Sequence, residues 1–219
     1  MMRIELKAHA KINWALWVCG LRPDGYHELD MLLQQVSLCD RLTFEPDDAL
    51  TLYVDGALSD DPHNLILRAA RALRTHAGVR RGARIALEKH IPARAGLGGG
   101  SADCAATLLA LNQVWALNLS QASLRAIGLR LGADVPYCLT GGLCRVRGAG
   151  EIIERCAAGP RAHLAMARLG EGLSTADVFR AWDDAPAFPP RDVEAARDAL
   201  LSGNYAALRA LAHNALAAP

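Results

Sequence analysis

The sequence is short of three features that would each point to a particular class of protein: paired cysteines, aromatic residues and net charge. The six cysteines are Cys19, Cys39, Cys104, Cys138, Cys144 and Cys156. None of them forms a C-x-x-C pair, which argues against a zinc site and a disulfide framework and favours small buried thiols in a reducing compartment. Aromatic residues make up only 5% of the chain and the net charge is +1. The sequence therefore lacks the basic, aromatic-rich surface that binds nucleic acids.

Long hydrophobic runs are absent as well. The apolar stretch 12–19 is interrupted by Asn13 and is far too short to span a bilayer. It also lacks the basic flank and the small-residue cleavage site of a signal peptide. The composition, 52% hydrophobic and 21% charged, is typical of a soluble globular protein. We therefore expect a cytoplasmic protein without membrane association.

The periodicity of apolar residues predicts an α+β fold. Alternating apolar and polar residues predict a first strand over 4–11, with Lys11 at its end. The same signal predicts strands over 83–91 and around 29–38, 41–54, 137–147 and 164–169. Helical spacing predicts helices over 64–77, 102–115, 120–131, 174–182, 192–201 and 205–218. Ser120 or Ser123 is the expected N-cap of the third of these helices, and the Ser174–Thr175 pair that of the fourth. Strands dominate the first part of the chain and helices the last, and a loop-like composition at 156–160 suggests a domain boundary.

A glycine-rich turn separates the predicted strand 83–91 from the helix 102–115. Gly96, Gly98, Gly99 and Gly100 allow the backbone to take positive φ and to approach a ligand closely. Ser101 is expected to cap the following helix, whose unpaired N–H groups suit a phosphate. The turn lacks the lysine of a Walker A loop and fits the dinucleotide fingerprint only loosely, so an ordinary helix-capping loop remains an alternative.

Four further side chains have the chemistry of a phosphoryl-transfer site. Asp134, in a turn fixed by Pro136, is a candidate carboxylate, and Lys11 is a candidate ammonium. Taken alone, an Asx turn and a solvated strand lysine explain these two residues better. Tyr26 and His27 can stack on and hydrogen-bond a planar ring, although an aromatic covering the edge of the core is the simpler interpretation.

Four segments taken in order resemble the GHMP kinase superfamily. They are Ala10-Lys-Ile-Asn13, Arg22-Pro-Asp-Gly-Tyr-His-Glu28, Gly96-Leu-Gly-Gly-Gly-Ser-Ala-Asp103 and Gly132-Ala-Asp-Val-Pro136. The glycine loop is shared across the superfamily. The Pro-Asp-Gly-Tyr-His-Glu string is similar to the branch that phosphorylates a cytidine-diphosphate-linked methylerythritol in non-mevalonate isoprenoid synthesis. The resemblance runs from about residue 7 to residue 179.

The resemblance implies a ribosomal-protein-S5-like ATP-binding domain over 1–157 and a smaller α+β substrate domain over 158–219, with the substrate between them. It implies ATP and Mg²⁺ as cofactors, with Ser101 also facing the magnesium ion and the metal's other ligands unassigned. Asp103 is expected at the second helical position, pointing away from the ligand. The residues implied to wrap the ATP phosphates are Pro92, Ala93, Arg94, Ala95, Gly96, Leu97, Gly98, Gly99, Gly100, Ser101 and Ala102.

The resemblance also implies roles in catalysis and substrate binding. Asp134 is the implied general base on the 2-hydroxyl of the substrate, and Lys11 is implied to hold it ionised and to orient the acceptor. The implied substrate-binding residues are Asn13, Tyr26, His27, Thr175 and Phe179. Of these, Tyr26 and His27 would recognise the cytosine and Phe179 would supply a second face of the stack. The implied protein is a monomer or weak homodimer that binds a small molecule and no nucleic acid.

The sequence departs from the family near its end. The family's last Gly-Ser-Gly-rich turn does not follow the helices predicted at 192–218, and 213–216 lacks the family's acidic residues. Residues 165–170 lack a proline, and Arg94 replaces a smaller residue in the glycine loop. These departures predict either a truncated kinase or a natural short form with weakened catalysis. A superfamily kinase for another small alcohol and a non-catalytic nucleotide-binding module stay open.

Overall fold

The computed structural model describes residues 3–167, 172, 174–184 and 192–217. The chain divides into two compact units. The first comprises Met1–Ala10, Val36–Ala93 and Leu97–Thr140, and the second comprises Lys11–Gln35, Arg94–Gly96 and Gly141–Pro219. The predicted boundary between residues 157 and 158 falls inside the second unit, and the assignment of ATP-binding and substrate domains stays a prediction.

The described residues form an α+β fold, as predicted. The strands are β1 (Ile4–Leu21), β2 (His27–Asp47), β3 (Leu50–Val54), β4 (Ala57–Ser59), β5 (Gly82–Glu88), β6 (Leu143–Gly148), β7 (Ile152–Arg155) and β8 (His213–Asn214). The helices are α1 (Leu65–Ala77), α2 (Gly99–Val114), α3 (Gln121–Leu129), α4 (Val135–Thr140), α5 (Thr175–Asp183), α6 (Val193–Leu201) and α7 (Tyr205–Leu211). No described helix combines the length and the apolar character needed to cross a lipid bilayer.

The first unit packs four helices against a mixed sheet. Its strands follow the order β4-β3-β5-β2-β1, with β5 parallel to β3 and antiparallel to β2. Ile85 lies opposite Phe44 in this register, and both side chains are fully buried. The core continues into α1, α2, α3 and α4, where Leu73, Leu108 and Trp115 are 1% exposed or less. This core fixes the end of β5 relative to the start of α2.

The second unit carries β6 antiparallel to both β2 and β7, and a short parallel pairing of β8 with β1. Its core joins Leu32 and Leu143 to Val193 and Leu200 of α6. Arg145 of β6 binds the carboxylate of Asp30 on β2 through two nitrogens, at 2.9 and 2.7 Å. The unit thereby pairs the N-terminal half of β2, residues 29–34, with β6, and His27 lies at the beginning of the same strand.

Several local predictions are confirmed. In β5, Ile85 and Leu87 are buried while Arg84 and Glu88 are exposed, which is the expected alternation. Ser120, one of the two predicted candidates, caps α3 by accepting a hydrogen bond from Ser123 N. The helix predicted over 64–77 is also present, and its cap, which was not predicted, is Asn64, which accepts a hydrogen bond from Ile66 N. Both caps follow from the short polar side chain that satisfies a free N–H group at the start of a helix.

Other predictions are wrong. Residues 137–140, predicted as the start of a strand, belong to α4, and Pro136, predicted in a turn, lies in the first turn of this helix, where its missing N–H costs nothing. The last helix ends at Leu211, after which β8 pairs with β1. Residues 164–167 have no regular structure, and residues 168 and 169 of the predicted strand lie outside the described residues. Lys11 lies inside β1 instead of at its end.

Candidate active site

The glycine loop turns directly into α2. Gly96 and Gly98 adopt left-handed φ values of 71° and 69°, and Gly98 is the N-cap of the helix. The predicted cap at Ser101 is therefore wrong, since Ser101 already lies in the first turn. As a glycine, Gly98 has no side chain with which to cap α2. The N–H groups of this first turn, which a helix cannot pair internally, therefore point outward as donors suited to phosphate oxygens.

Close packing explains why glycine is needed at the start of α2. A Cβ atom on Gly99 would lie 3.0 Å from Cγ2 of Ile91 and 3.4 Å from Nζ of Lys89. On Gly100, it would lie 3.4 Å from Cδ1 of Leu65. The first turn of α2 thus lies directly against the residues that follow β5. A side chain at Gly99 would press on Ile91, whereas at Gly100 it would make an ordinary contact, so glycine at 99 is what lets the backbone N–H groups lie this close to the strand end.

A buried charge cluster lies beside the first turn of α2, and no local sequence pattern indicates it. Nζ of Lys89 donates to Oδ2 of Asp40 at 2.5 Å and to Oδ2 of Asp103 at 3.0 Å. Oδ1 of Asp40 accepts hydrogen bonds from the backbone N–H groups of His90 and Ile91. Asp40 is fully buried and Asp103 is 4% exposed. The cluster, Asp40–Lys89–Asp103, ties β2, the end of β5 and α2 together.

Asp103 is not where the sequence predicted it. Counted from Gly99, it is the fifth helical residue instead of the second, and its side chain points inward to Lys89. Its Oδ1 atom has no hydrogen-bond partner in the described part of the chain. Burial raises the pKa of Asp103 to about 7; the neighbouring Asp40 adds to this rise and the ammonium of Lys89 opposes it. The two carboxylates beneath the loop are thus held by one shared cation.

The turn that carries Asp134 lies beside the first turn of α2, within the same unit. The carbonyl oxygen of Asp134 accepts the hydrogen bond from Cys138 N at 3.0 Å, so Asp134 is the residue that precedes α4. A Cβ atom on Gly132 would lie 3.7 Å from Oγ of Ser101. On Gly128, it would lie 2.7 Å from Cγ1 of Val135, so α3 and α4 are in tight contact. The half-buried Asp134 therefore lies two residues after Gly132, which faces the first turn of α2 and its N–H groups.

In the second unit, the Pro-Asp-Gly turn is held by the guanidinium of Arg22. It binds Asp24 at 2.9 Å and Glu151, next to β7, at 2.7 Å. The backbone N–H group of Arg22 donates to the backbone carbonyl of Tyr26, and the backbone N–H group of Tyr26 donates to the Asp24 carboxylate. Gly148, with a left-handed φ of 74°, leaves room for the Glu151 carboxylate. These bonds fix the backbone from which Tyr26 and His27 project.

His27 lies in an aromatic cluster with the face of α5. Its ring stacks on Phe179 with centroids 4.5 Å apart and meets Trp182 edge-on at 5.7 Å. Its Nε2 atom is 2.8 Å from Oδ1 of Asp183. Tyr26 is 62% exposed. Phe179 therefore contacts the His27 ring itself, while the Tyr26 ring is open to solvent.

The remaining predicted residues lie on β1 and α5. Lys11 is 7% exposed, and Oδ1 of Asn13 is buried without a partner among the described residues. Thr175 is the first residue of α5, and its side chain lies outside the described residues. Ser174 occupies the N-cap position of α5, as predicted, although its side chain makes no capping hydrogen bond. Across the described residues, no group of three or more His, Cys, Asp or Glu side chains could hold a metal ion.

Comparison with known proteins places this geometry in a family. A model described as the GHMP kinases N terminal domain matches residues 64–142, which include the glycine loop and Asp134. The 4-diphosphocytidyl-2-C-methyl-D-erythritol kinase of Pelotomaculum thermopropionicum is 46% identical over 220 residues, covering 98% of this chain and 76% of that protein. The enzyme of the same name from Bacillus pumilus is 40% identical over 207 residues, covering 93% and 71%.

Solved structures agree in fold. A crystal structure of 4-(cytidine 5'-diphospho)-2C-methyl-D-erythritol kinase aligns with a TM-score of 0.71 at 38% identity, covering 91% of this chain and 72% of that one. The mevalonate pyrophosphate decarboxylase of Streptococcus pyogenes aligns with a TM-score of 0.68 at only 13% identity, over 96% of this chain and 72% of that one. The second likeness bears on the fold alone.

Proposed function

Because this chain belongs to the family of 4-diphosphocytidyl-2-C-methyl-D-erythritol kinases, we propose that it phosphorylates the 2-hydroxyl of 4-diphosphocytidyl-2-C-methyl-D-erythritol in non-mevalonate isoprenoid synthesis. Membership of this family makes the protein a small-molecule phosphotransferase with ATP as donor and an alcohol as acceptor. The proposal covers the individual substrate, the roles of the site residues and the magnesium ion.

One observation carries the proposal: a Cβ atom added at Gly132 would lie 3.7 Å from Oγ of Ser101. It sets the turn before Asp134 against the uncapped first turn of α2, within one compact unit. Phosphoryl transfer needs donors that hold the phosphates and a carboxylate that takes the proton of the attacking hydroxyl. Both kinds of group are present on neighbouring elements of this unit.

In the proposed mechanism, the N–H groups of residues 99–101 bind the phosphates and Asp134 takes the proton from the acceptor hydroxyl. Lys11, buried on β1, supplies positive charge that favours the ionised base and orients the acceptor. Positioning and electrostatic stabilisation provide most of the rate, because an alcohol attacking a phosphorus atom needs little further chemistry. The hydroxyl of Ser101 suits a magnesium ion that is otherwise held by phosphates and water. Such an ion would neutralise charge on the transferring phosphoryl group.

The cytidine end of the substrate is proposed to bind at the edge of the second unit. Tyr26, whose ring is exposed, would stack on the cytosine, and the His27–Phe179 pair would bound the same pocket. Asn13, with an unpartnered buried amide oxygen, and Thr175 are proposed to contact the sugar or phosphate part. An unsatisfied buried acceptor of this kind is costly unless a ligand pairs it.

We further propose that the protein acts in the cytoplasm as a monomer or weak homodimer, without nucleic-acid or membrane partners. All six cysteines are free thiols, and Cys104 and Cys144 are buried. Burial raises the pKa of Cys104 to about 12 and of Cys144 to about 11. Thiols held protonated in this way are small apolar side chains, which suits a reducing compartment.

A substrate panel tests the proposal. The purified protein with magnesium and ATP is offered the cytidine-linked methylerythritol, mevalonate or homoserine, and product formation is followed by phosphorus NMR. We expect phosphorylation of the cytidine-linked alcohol alone, and a higher KM for it in Tyr26→Ala. Phosphorylation of one of the other alcohols, unaffected by Tyr26→Ala, would instead support a kinase for a different substrate. Absence of transfer to all three would contradict catalysis by this chain.

A further inference from the structure

The His27 ring is held on three sides by one face of α5. Phe179 stacks on it, Trp182 meets it edge-on, and Oδ1 of Asp183 lies at hydrogen-bond distance, 2.8 Å, from its Nε2 atom. Residues three and four positions apart share a helix face, which is why one helix supplies all three contacts. His27 and Asp183 lie 156 residues apart in the sequence, so the pairing is a product of the fold.

The carboxylate contact determines which ring nitrogen carries hydrogen. An ionised Asp183 can only accept, so Nε2 of His27 must carry the proton of this bond. In the neutral imidazole, Nδ1 is then a bare acceptor. Among the described residues, Nδ1 has no hydrogen-bond partner, and the His27 side chain is 12% exposed. The stacked Phe179 ring opposes rotation of the imidazole, which would in any case break the bond to Asp183.

An acceptor at this place distinguishes the two common pyrimidines. Cytosine carries an amino group at its position 4, which donates hydrogen bonds, whereas uracil carries a carbonyl oxygen there, which only accepts. When it faces position 4 of the base, a bare Nδ1 would pair with the amino group of cytosine and repel the oxygen of uracil, so uracil would have to shift its N3–H donor towards Nδ1 to bind. A site built around such a bond rejects the analogue that lacks the donor, because a polar group is left unpaired.

We propose that Asp183 is a positioning residue that fixes His27 as an acceptor through Nδ1, and thereby selects a cytosine over a uracil base in the substrate. The inference rests on the proposed function for the identity of the substrate. Asp183 acts only through His27 and does not touch the reacting atoms. Trp182 and Phe179 keep the ring in the plane that this selection needs.

The test removes the carboxylate that holds the ring. In Asp183→Ala, the partner that keeps the hydrogen on Nε2 is lost, so the neutral imidazole exchanges between its two tautomers and Nδ1 is an acceptor for only part of the time. Asp183→Asn would not test this, because the amide oxygen can accept from Nε2–H as the carboxylate does. Affinities for cytidine diphosphate and uridine diphosphate are measured by calorimetry at pH 8. We expect the wild type to prefer cytidine diphosphate, and the variant to lose about 3- to 10-fold of that preference. Asp184→Ala, at the neighbouring exposed carboxylate, is the matched control and should leave the preference unchanged.

Nitrogen NMR of the imidazole gives a readout that a merely structural role would not move. The wild type should show hydrogen on Nε2 of His27, and the Asp183→Ala variant should show a mixture of the two tautomers. Hydrogen on Nδ1 in the wild type, or an unchanged base preference in the variant, would overturn the inference. Base selection through Asp183 in a protein that transfers no phosphoryl group would sustain the inference and contradict the proposed function.

Discussion

Among the described residues, Lys89 is the only cation between the two buried carboxylates of the Asp40–Lys89–Asp103 cluster, and replacing it by methionine removes that charge. The Lys89 Nζ atom is 2.5 Å from Asp40 and 3.0 Å from Asp103. Methionine keeps much of the volume but leaves both carboxylates without their counter-ion. Loss of one partner of a buried ion pair costs about 3–5 kcal/mol. In a chain of this size, that corresponds to a fall in Tm of about 6–20 °C.

The loss should depend on pH in a defined direction. The folded-state pKa of Asp103 is about 7, whereas an unfolded aspartate titrates near about 3.9. The folded state therefore binds the proton more tightly, and this group favours folding increasingly as pH falls from about 7 towards about 4. Protonated Asp103 no longer needs Lys89. The deficit of Lys89→Met should accordingly be largest at pH 8 and smaller at pH 5.5.

Urea unfolding at pH 8 and pH 5.5, followed by the fluorescence of the buried Trp115, measures both effects. Lys7→Met makes the same chemical change at an exposed lysine of β1 and should alter the free energy of unfolding by less than about 0.5 kcal/mol. Adding Asp103→Asn to Lys89→Met should restore part of the loss. If the free energy of unfolding of Lys89→Met fell by less than about 1 kcal/mol, or by the same amount at both pH values, the reasoning would be refuted.

Three further substitutions test the placement of the site. Gly128→Ala places a Cβ 2.7 Å from Cγ1 of Val135 and so displaces α4. This should lower the free energy of unfolding in urea by about 1–3 kcal/mol and should also lower kcat. An unchanged kcat would show that this contact does not affect catalysis. Gly99→Ala brings a Cβ to 3.0 Å from a neighbouring side chain and should raise the KM for ATP several-fold while the KM for the alcohol holds, so an unchanged KM for ATP would argue against a phosphate site there. Arg22→Gln frees the Pro-Asp-Gly turn and should raise the KM for the cytidine-linked substrate in steady-state assays with kcat retained; a fall in kcat alone would contradict its positioning role.

Local patterns in the sequence were sufficient for the elements that local chemistry determines. The alternation around Ile85 predicts β5, and the polar cap Ser120 predicts the start of α3. The glycine loop could be predicted as a tight turn before a helix, because glycine at 96 and 98 serves backbone conformations that other residues avoid.

Features that depend on distant pairings could not be predicted in this way. The Asp40–Lys89 ion pair joins residues 49 positions apart, and each of the two has an ordinary place in its own strand pattern. Asp183 has no signal until the fold brings α5 to His27. Pro136 favoured a turn over a helix in the sequence, because proline marks both the first turn of a helix and a loop.

The most direct test of the central claim compares wild-type protein with Asp134→Asn in a turnover assay with ATP, magnesium and 4-diphosphocytidyl-2-C-methyl-D-erythritol. The carboxamide keeps the shape of the side chain but cannot take the hydroxyl proton. The account predicts product phosphorylated at the 2-hydroxyl by the wild type and a loss in kcat of about 10²–10⁴-fold in the variant, with ATP affinity retained. An Asp134→Asn variant that turns over within about threefold of the wild-type rate, well below the contribution of a general base, would contradict it.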